Sequence, residues 1–431
     1  MATPSQNRLI LDGVIGFFIP LGVFIEVGSP ILLATSPIGQ ENFAFPLSLL
    51  LVPVALLRAL QRTDKTRIYP QMLVFSALIF SVYCLVMSMA SLVVIDPLAF
   101  VYGLQWAMVF IWLPYFSTLA DQRKFHSFAK GFIYGTLVNL IYYLISGLYE
   151  IVFFGHLQDA GRMTQNLFLP GQYQIALSVP TIVAYSSIAC MILINARIVD
   201  VPRYFILIIL SLALPVLLFL AAREAVLVVL VFCIAWAFVR GGIVRIGALV
   251  AAFAFLIVIL NPAPALHLLE GSEFRLLDKI MKLEDEDGQL GGRDTMLGEV
   301  THLLENSPVF GTYFTPPNSG IKLVAIDAPS AHNMYVDAFV WSGLLGGILF
   351  LLSALSIATL AAKRVWQSYT IAKHDYLGRY FGILMLVFLF VSNNLNVPMR
   401  QPLLAPLIGF LIFVCSYWSS SAKFERKYAE S

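Results

Sequence analysis

Runs of about twenty apolar residues recur along almost the whole chain, and no other feature limits its fold as much. A spanning helix needs roughly 20 mainly apolar residues to cross a bilayer. Twelve segments qualify, near 9–27, 43–60, 72–94, 98–120, 131–153, 169–195, 204–222, 224–239, 246–262, 333–361, 380–397 and 402–419. The eighth is short and the sixth begins with polar residues. A soluble surface cannot be built from what lies between them. Only 12% of the 431 residues are charged and 59% are hydrophobic, against about 25% charged in a soluble domain. The net charge of +2 implies no general electrostatic partner and no nucleic acid. The expectation is an all-α, polytopic membrane protein with about 12 transmembrane helices. The first run reads as a span and not as a cleaved leader, since no small-residue cleavage site follows a short apolar stretch.

The turns between runs set the orientation. Alternate turns carry Arg58, Arg62, Lys65 and Arg67; Arg123, Lys124 and Lys130; Arg197 and Arg203; Arg240 and Arg245; and Lys363, Arg364, Lys373 and Arg379. With Arg8 and the tail residues Lys423, Arg426 and Lys427, these make up 19 of the 27 basic residues. Positive loops stay in the cytoplasm, so both termini are expected inside. Eight basic residues remain on the far side: Arg162, Arg223, Arg275, Lys279, Lys282, Arg293, Lys322 and Arg400. A long loop crosses regardless of charge, which accounts for the five between 275 and 322. Arg162, Arg223 and Arg400 sit in short turns, where an anionic ligand is one reason to keep them.

Residues 263–331 form the one long hydrophilic segment, separating helices 1–9 (1–262) from helices 10–12 and the tail (332–431) in a single membrane domain. Leu266, Leu269, Phe274, Leu277 and Met281 fall roughly at helical spacing, so 265–287 reads as an amphipathic helix. Its acidic end, Glu284 to Asp287, reads as a solvated terminus before Gly288. A second helix over about 295–305 is capped by Asp294 or Thr295 and broken at Ser307-Pro308. The four cysteines, Cys84, Cys190, Cys233 and Cys415, lie in apolar runs without metal spacing and read as packing residues.

Three residues carry chemical interest. His332 stands where the long loop returns to the membrane, in Ser330-Ala331-His332-Asn333-Met334-Tyr335. A helix N-terminus disfavours an imidazolium; a neutral imidazole there either caps the helix or accepts a proton. Arg223 separates two apolar runs in Ala221-Ala222-Arg223-Glu224-Ala225. It either pairs with Glu224 or grips a phosphate through its planar fork. Arg293 follows Gly291-Gly292, and glycines let a backbone come close to a ligand.

This pattern resembles the bacterial O-antigen ligase and polysaccharide polymerase superfamily. The matching features are Arg223 at the outer start of a span, a span pair, and a long outer loop. That loop holds Gly292-Arg293 and Pro308-Val309-Phe310-Gly311, and it is followed by His332-Asn333 with Gly343 and Gly346 in the next span. The ordered set covers about 220–350. Two positions depart from the family pattern: Ala222 and Glu224 flank the first arginine, and Asp294-Thr295-Met296 follows Gly-Arg where an aromatic is usual.

The resemblance implies a metal-independent, cofactor-free glycosyltransferase of the bacterial inner membrane with a periplasmic active site. Such an enzyme moves a glycan from undecaprenyl diphosphate to a sugar hydroxyl. The acceptor is another lipid-linked oligosaccharide in a polymerase, or the lipid A core in a ligase. Membrane lipids, polysaccharide export proteins and chain-length proteins are the further partners it suggests. His332 becomes the expected base. Arg223, Arg293, Arg162 and Arg400 become expected diphosphate ligands, and Asn333 and Tyr335 expected substrate-orienting residues. Nothing in the sequence marks a lipid A core site, which tips the reading toward polymerase.

A lipid-linked glycan transporter is the competing class. It would show charges or broken helices at mid-membrane beside an inverted repeat. The intramembrane acids are Asp12, Glu26, Glu150 and Asp337, and Pro20, Pro53, Pro180 and Pro215 interrupt spans. No repeat is visible.

Overall fold

The computed structural model describes residues 4–21, 24–27, 43–46, 51–60, 69–94, 99–154, 163–165, 173–175, 179–220, 223–240, 305, 307–314, 333–370, 375–395 and 403–417. The described residues are overwhelmingly helical. In chain order the helices are α1 (Pro4–Phe18), α2 (Val52–Leu60), α3 (Gln71–Val94), α4 (Ala99–Ser117), α5 (Gln122–Phe154), α6 (Val179–Asn195), α7 (Phe205–Phe219), α8 (Arg223–Arg240), α9 (Met334–Thr370), α10 (Tyr376–Val387) and α11 (Ala405–Tyr417). A π-helical turn, Phe388–Ser392, and a last turn, Asn393–Leu395, extend α10.

Among the described residues, three helices are long and apolar enough to cross a membrane, within Gln71–Ser91, Gln122–Phe153 and Met334–Thr370. Six shorter apolar helices stand beside them. The exposed side of α3 is compatible with a membrane setting. Phe75, Leu78, Val82, Val86, Met89 and Val93 recur every three or four residues and are all at least half exposed. Such a stripe would be an aggregation surface in water.

Two departures from the all-α expectation occur at predicted span ends. Strands β1 (Phe24–Val27) and β2 (Phe43–Pro46) pair antiparallel, with Phe24 opposite Pro46. Strands β3 (Met163–Gln165) and β4 (Tyr173–Ile175) pair likewise. The physical reason for the first is Pro20. It disfavours helix at the residue before it, and α1 stops at Phe18. The chain beyond must pair its backbone elsewhere, and Phe24-Ile25-Glu26-Val27 is rich in residues that suit a strand. The sixth span similarly starts late, at Val179, with Pro180 at its first turn, where a missing N–H costs nothing. The ninth predicted span and the predicted loop helices, apart from Glu305, lie outside the described residues.

Helix α1 packs against α5 through small residues. A Cβ at Gly131 would run into the Gly13 carbonyl, and one at Gly135 into that of Phe17. Small faces let helix backbones approach where lipid offers no hydrophobic drive. Behind this contact, Phe116 of α4, Phe128 of α5 and Phe410 and Phe413 of α11 form an aromatic core, with Phe128 and Phe410 centroids 5.0 Å apart. The cysteines are free, and all but Cys233 are buried.

Two basic residues assigned to cytoplasmic turns are internal instead. Arg58 is 6% exposed and bonds the fully buried Asp12 at 2.7 Å, tying α2 to α1. Arg364 donates to the Cys415 carbonyl at 2.6 Å and reaches the Asp375 carboxylate at 3.7 Å. It thereby satisfies the carbonyl end of α11. A long side chain next to a span end is drawn inward when a buried acceptor needs it, and span hydropathy does not register that need.

Helix α9 is broken at Gly343, which adopts φ 67° and ψ −171°. Segment 307–314 of the long loop docks into the break. Leu344 and Leu345 donate their N–H groups to the carbonyls of Pro308 (2.8 Å) and Val309 (3.3 Å). The carbonyls of Val340 and Trp341 accept from Thr312 (2.9 Å) and Phe314 (3.2 Å). The Tyr83 hydroxyl takes the Ser342 carbonyl at 2.7 Å, and Ser91 holds the Tyr313 carbonyl at 2.8 Å. Irregular backbone is tolerated at membrane depth when protein satisfies it. Gly311, at φ 66°, faces Gly343 with no room for a Cβ on either side. Gly343→Val should therefore cost about 1–3 kcal/mol through backbone strain alone. It should also expose 307–314 to limited proteolysis. Wild-type melting and wild-type cleavage would show the break to be tolerant.

Candidate functional site

The site can be built from the start of α9. Asn333 caps the helix: its Oδ1 accepts the N–H groups of Tyr335 at 3.0 Å and Val336 at 3.2 Å. Asparagine is a favoured N-cap because it satisfies donors that have no partner within the helix. Its Nδ2 turns to the Asn394 Oδ1, 3.2 Å away. The amide predicted to orient substrate is thus already engaged on both sides, by the helix end and by the turn after α10.

Tyr335 reaches the same turn. Its hydroxyl donates to the Leu389 carbonyl at 2.8 Å and lies 3.5 Å from the Asn393 Nδ2. The π-helical register of 388–392 makes this possible, because widening the helix releases carbonyls from the i→i+4 ladder. Such turns often accompany functional sites. From the other side, Tyr185 of α6 shares a hydrogen bond with Ser392 at 2.9 Å. Glu224, at the first turn of α8, lies near enough to act electrostatically on the Tyr185 hydroxyl. Helix α8 also packs directly on the π-helical turn.

The start of α9 and the end of α10 therefore converge, joined by Tyr185, Ser392, Asn393, Asn394, Asn333 and Tyr335, with α8 packed alongside. One turn into α9, Asp337 is fully buried. Five predicted site residues are not described at the side-chain level. His332, Arg162, Arg293 and Arg400 lie outside the described residues, and Arg223 is described only as the first residue of α8. Glu224 adjoins Arg223, Asn333 adjoins His332, and Asn394 precedes Arg400 by a few residues. Arg162 adjoins β3, which packs against α5.

Sequence reasoning missed Tyr185, Ser392, Asn393 and Asn394. The last three did leave a signal. Ser392-Asn393-Asn394 interrupts an otherwise apolar span, and polar side chains at membrane depth turn inward to partners. Tyr185 left none, since a tyrosine in an apolar helix is commonplace. Compared with known proteins, the chain matches no family model and no curated protein.

Proposed function

We propose that this chain is a polytopic glycosyltransferase of a bacterial inner membrane, with twelve spans, cytoplasmic termini and a periplasmic active site. It moves a glycan from undecaprenyl diphosphate to a sugar hydroxyl and so polymerises a surface polysaccharide. His332 takes the proton of the acceptor hydroxyl as its oxygen bonds to the anomeric carbon. The bond from that carbon to the diphosphate breaks, and the bond electrons leave with the lipid diphosphate. Direct displacement inverts the anomeric configuration. Arg223 and Arg293, with Arg162 and Arg400 behind them, hold the charge that builds on the leaving group. Fixed donors are worth most where water is excluded.

One observation carries the reading. Asn333, which follows His332 in the chain, and the polar turn Ser392-Asn393-Asn394 meet in one hydrogen-bonded network at the start of α9, and α8, which begins at Arg223, packs on that turn. A base and phosphate-binding cations must share a pocket for this reaction, and a polar network at the start of α9 is where this reading puts that pocket.

Purified protein given lipid-linked oligosaccharide alone should build a ladder of longer glycans without an energy source. Transfer only to added lipid A core would make it a ligase. Vectorial movement of the lipid-linked glycan with no new glycosidic bond would overturn the enzyme reading. The transporter alternative has one point in its favour, the break in α9 at Gly343. Transporters use such breaks to coordinate ions through freed backbone groups. Here segment 307–314, Tyr83 and Ser91 engage those groups, which favours a static role.

A further inference from the structure

At the opposite end of the bundle, where the basic turns cluster, a cavity of about 170 Å³ opens among α6, α7, α8 and α10. Its walls are of two kinds. Ile206, Leu207 and Phe232 form an apolar side, while Arg203, Asn195 and Tyr376 form a polar one. Leu207 is 67% exposed and neighbouring Tyr204 is 59% exposed, so the apolar side opens outward, onto the surface that lipid covers in a membrane protein.

The polar side is built to receive an anion. Asn195 Nδ2 and, at 3.3 Å, Trp236 Nε1 both donate to the Tyr376 hydroxyl. With its oxygen accepting twice, that hydroxyl has a proton left to give, and among the described residues nothing takes it. Arg203 is exposed and forms no ion pair among the described residues. Asp375 fixes the geometry by capping α10, accepting the Gly378 N–H at 2.8 Å. This places Tyr376 at the first turn, beside the cavity. A guanidinium and a hydroxyl donor at the polar end of an apolar slot match a phosphodiester joined to an acyl chain.

We propose that this cavity binds an anionic phospholipid. The phosphodiester sits between Arg203 and Tyr376, and an acyl chain follows Leu207 and Phe232. The charge count assigns this end to the cytoplasmic leaflet, where juxtamembrane cations meet anionic headgroups. The site is separate from the polar network at the start of α9 and does not depend on the glycan-transfer reading.

The test uses the purified full chain and native mass spectrometry. Phosphatidylglycerol and phosphatidylcholine of matched acyl chains are offered together. Wild type should retain phosphatidylglycerol in preference. Arg203→Gln should lower that retention by about tenfold or more, as expected for losing a charge-assisted contact. Tyr376→Phe should lower it as well, and millimolar inorganic phosphate should not displace the lipid. Three results would overturn the proposal: equal retention of both lipids, wild-type retention in Arg203→Gln, or full displacement by inorganic phosphate. The last would mark a site for free anions. Arg203 lies on the surface, so its variant decides the matter even if Tyr376→Phe fails to fold.

Discussion

Replacing His332 with alanine should lower glycan transfer by about 10²–10⁴-fold, the usual contribution of a general base, while the protein still folds and still binds lipid-linked donor. The residue directly before the α9 cap is the one for which this is expected. Asn333 caps the helix, and His332 is the residue before it in the chain; the positive end of a helix dipole disfavours an imidazolium. Only the neutral ring accepts a proton. Transfer should therefore fall as pH drops and the ring is protonated, and this acid limb should vanish in the variant. The competing base is Asp337. It is fully buried within α9, out of reach of a solvated sugar hydroxyl, which is the reason to prefer His332. His332→Gln separates the two. Glutamine keeps a hydrogen-bonding group and loses the base, so a rate within a few-fold of wild type would refute the assignment. It would leave the wider glycosyltransferase reading standing.

The second large effect lies far from any chemistry. Removing either partner of the Asp12–Arg58 pair should destabilise the fold by about 3–5 kcal/mol. Both side chains are buried and bond at 2.7 Å, so each single variant leaves one charge in a low-dielectric interior with its main partner gone. Asp12→Leu combined with Arg58→Met should recover most of that loss, since a buried pair can be exchanged for apolar groups of similar volume at little cost. Unfolding of the purified protein in detergent measures this directly. Two single losses that simply add in the double variant would show that the pair is not a coupled unit.

Asp12 and Arg58 also mark where sequence reasoning stops. Both residues were conspicuous, one as an acid inside a span and the other as a cation beside a turn. Nothing in a hydropathy pattern says that they are partners, because 46 positions separate them. The same holds for Gly311 and Gly343. Each stood out as a glycine in a notable motif, but only the folded chain shows one docked against the other, closing the backbone break in α9. The helical character of the chain and its long apolar segments were legible directly, because the bilayer-length apolar run is a local property. The small β ladders were not. The first forms where Pro20 ends α1 early and Phe24–Val27 pairs with Phe43–Pro46; the second pairs Met163–Gln165 with Tyr173–Ile175 ahead of α6.

The candidate site divides along the same line. His332-Asn333 and Arg223 stand out in the sequence because they break a local rule: each is polar or charged beside a long apolar run. The sequence alone therefore determined that the chain is built of apolar helices and which residues at their ends are out of place. The tertiary structure alone decided that the start of α9 meets the π-helical turn with α8 packed alongside, and that Tyr185, Ser392 and Asn393 join them. Burial rewards apolar length whatever its neighbours, so it can be read residue by residue. A hydrogen-bonded network exists only when side chains from several helices arrive at one place, and packing sets that arrival.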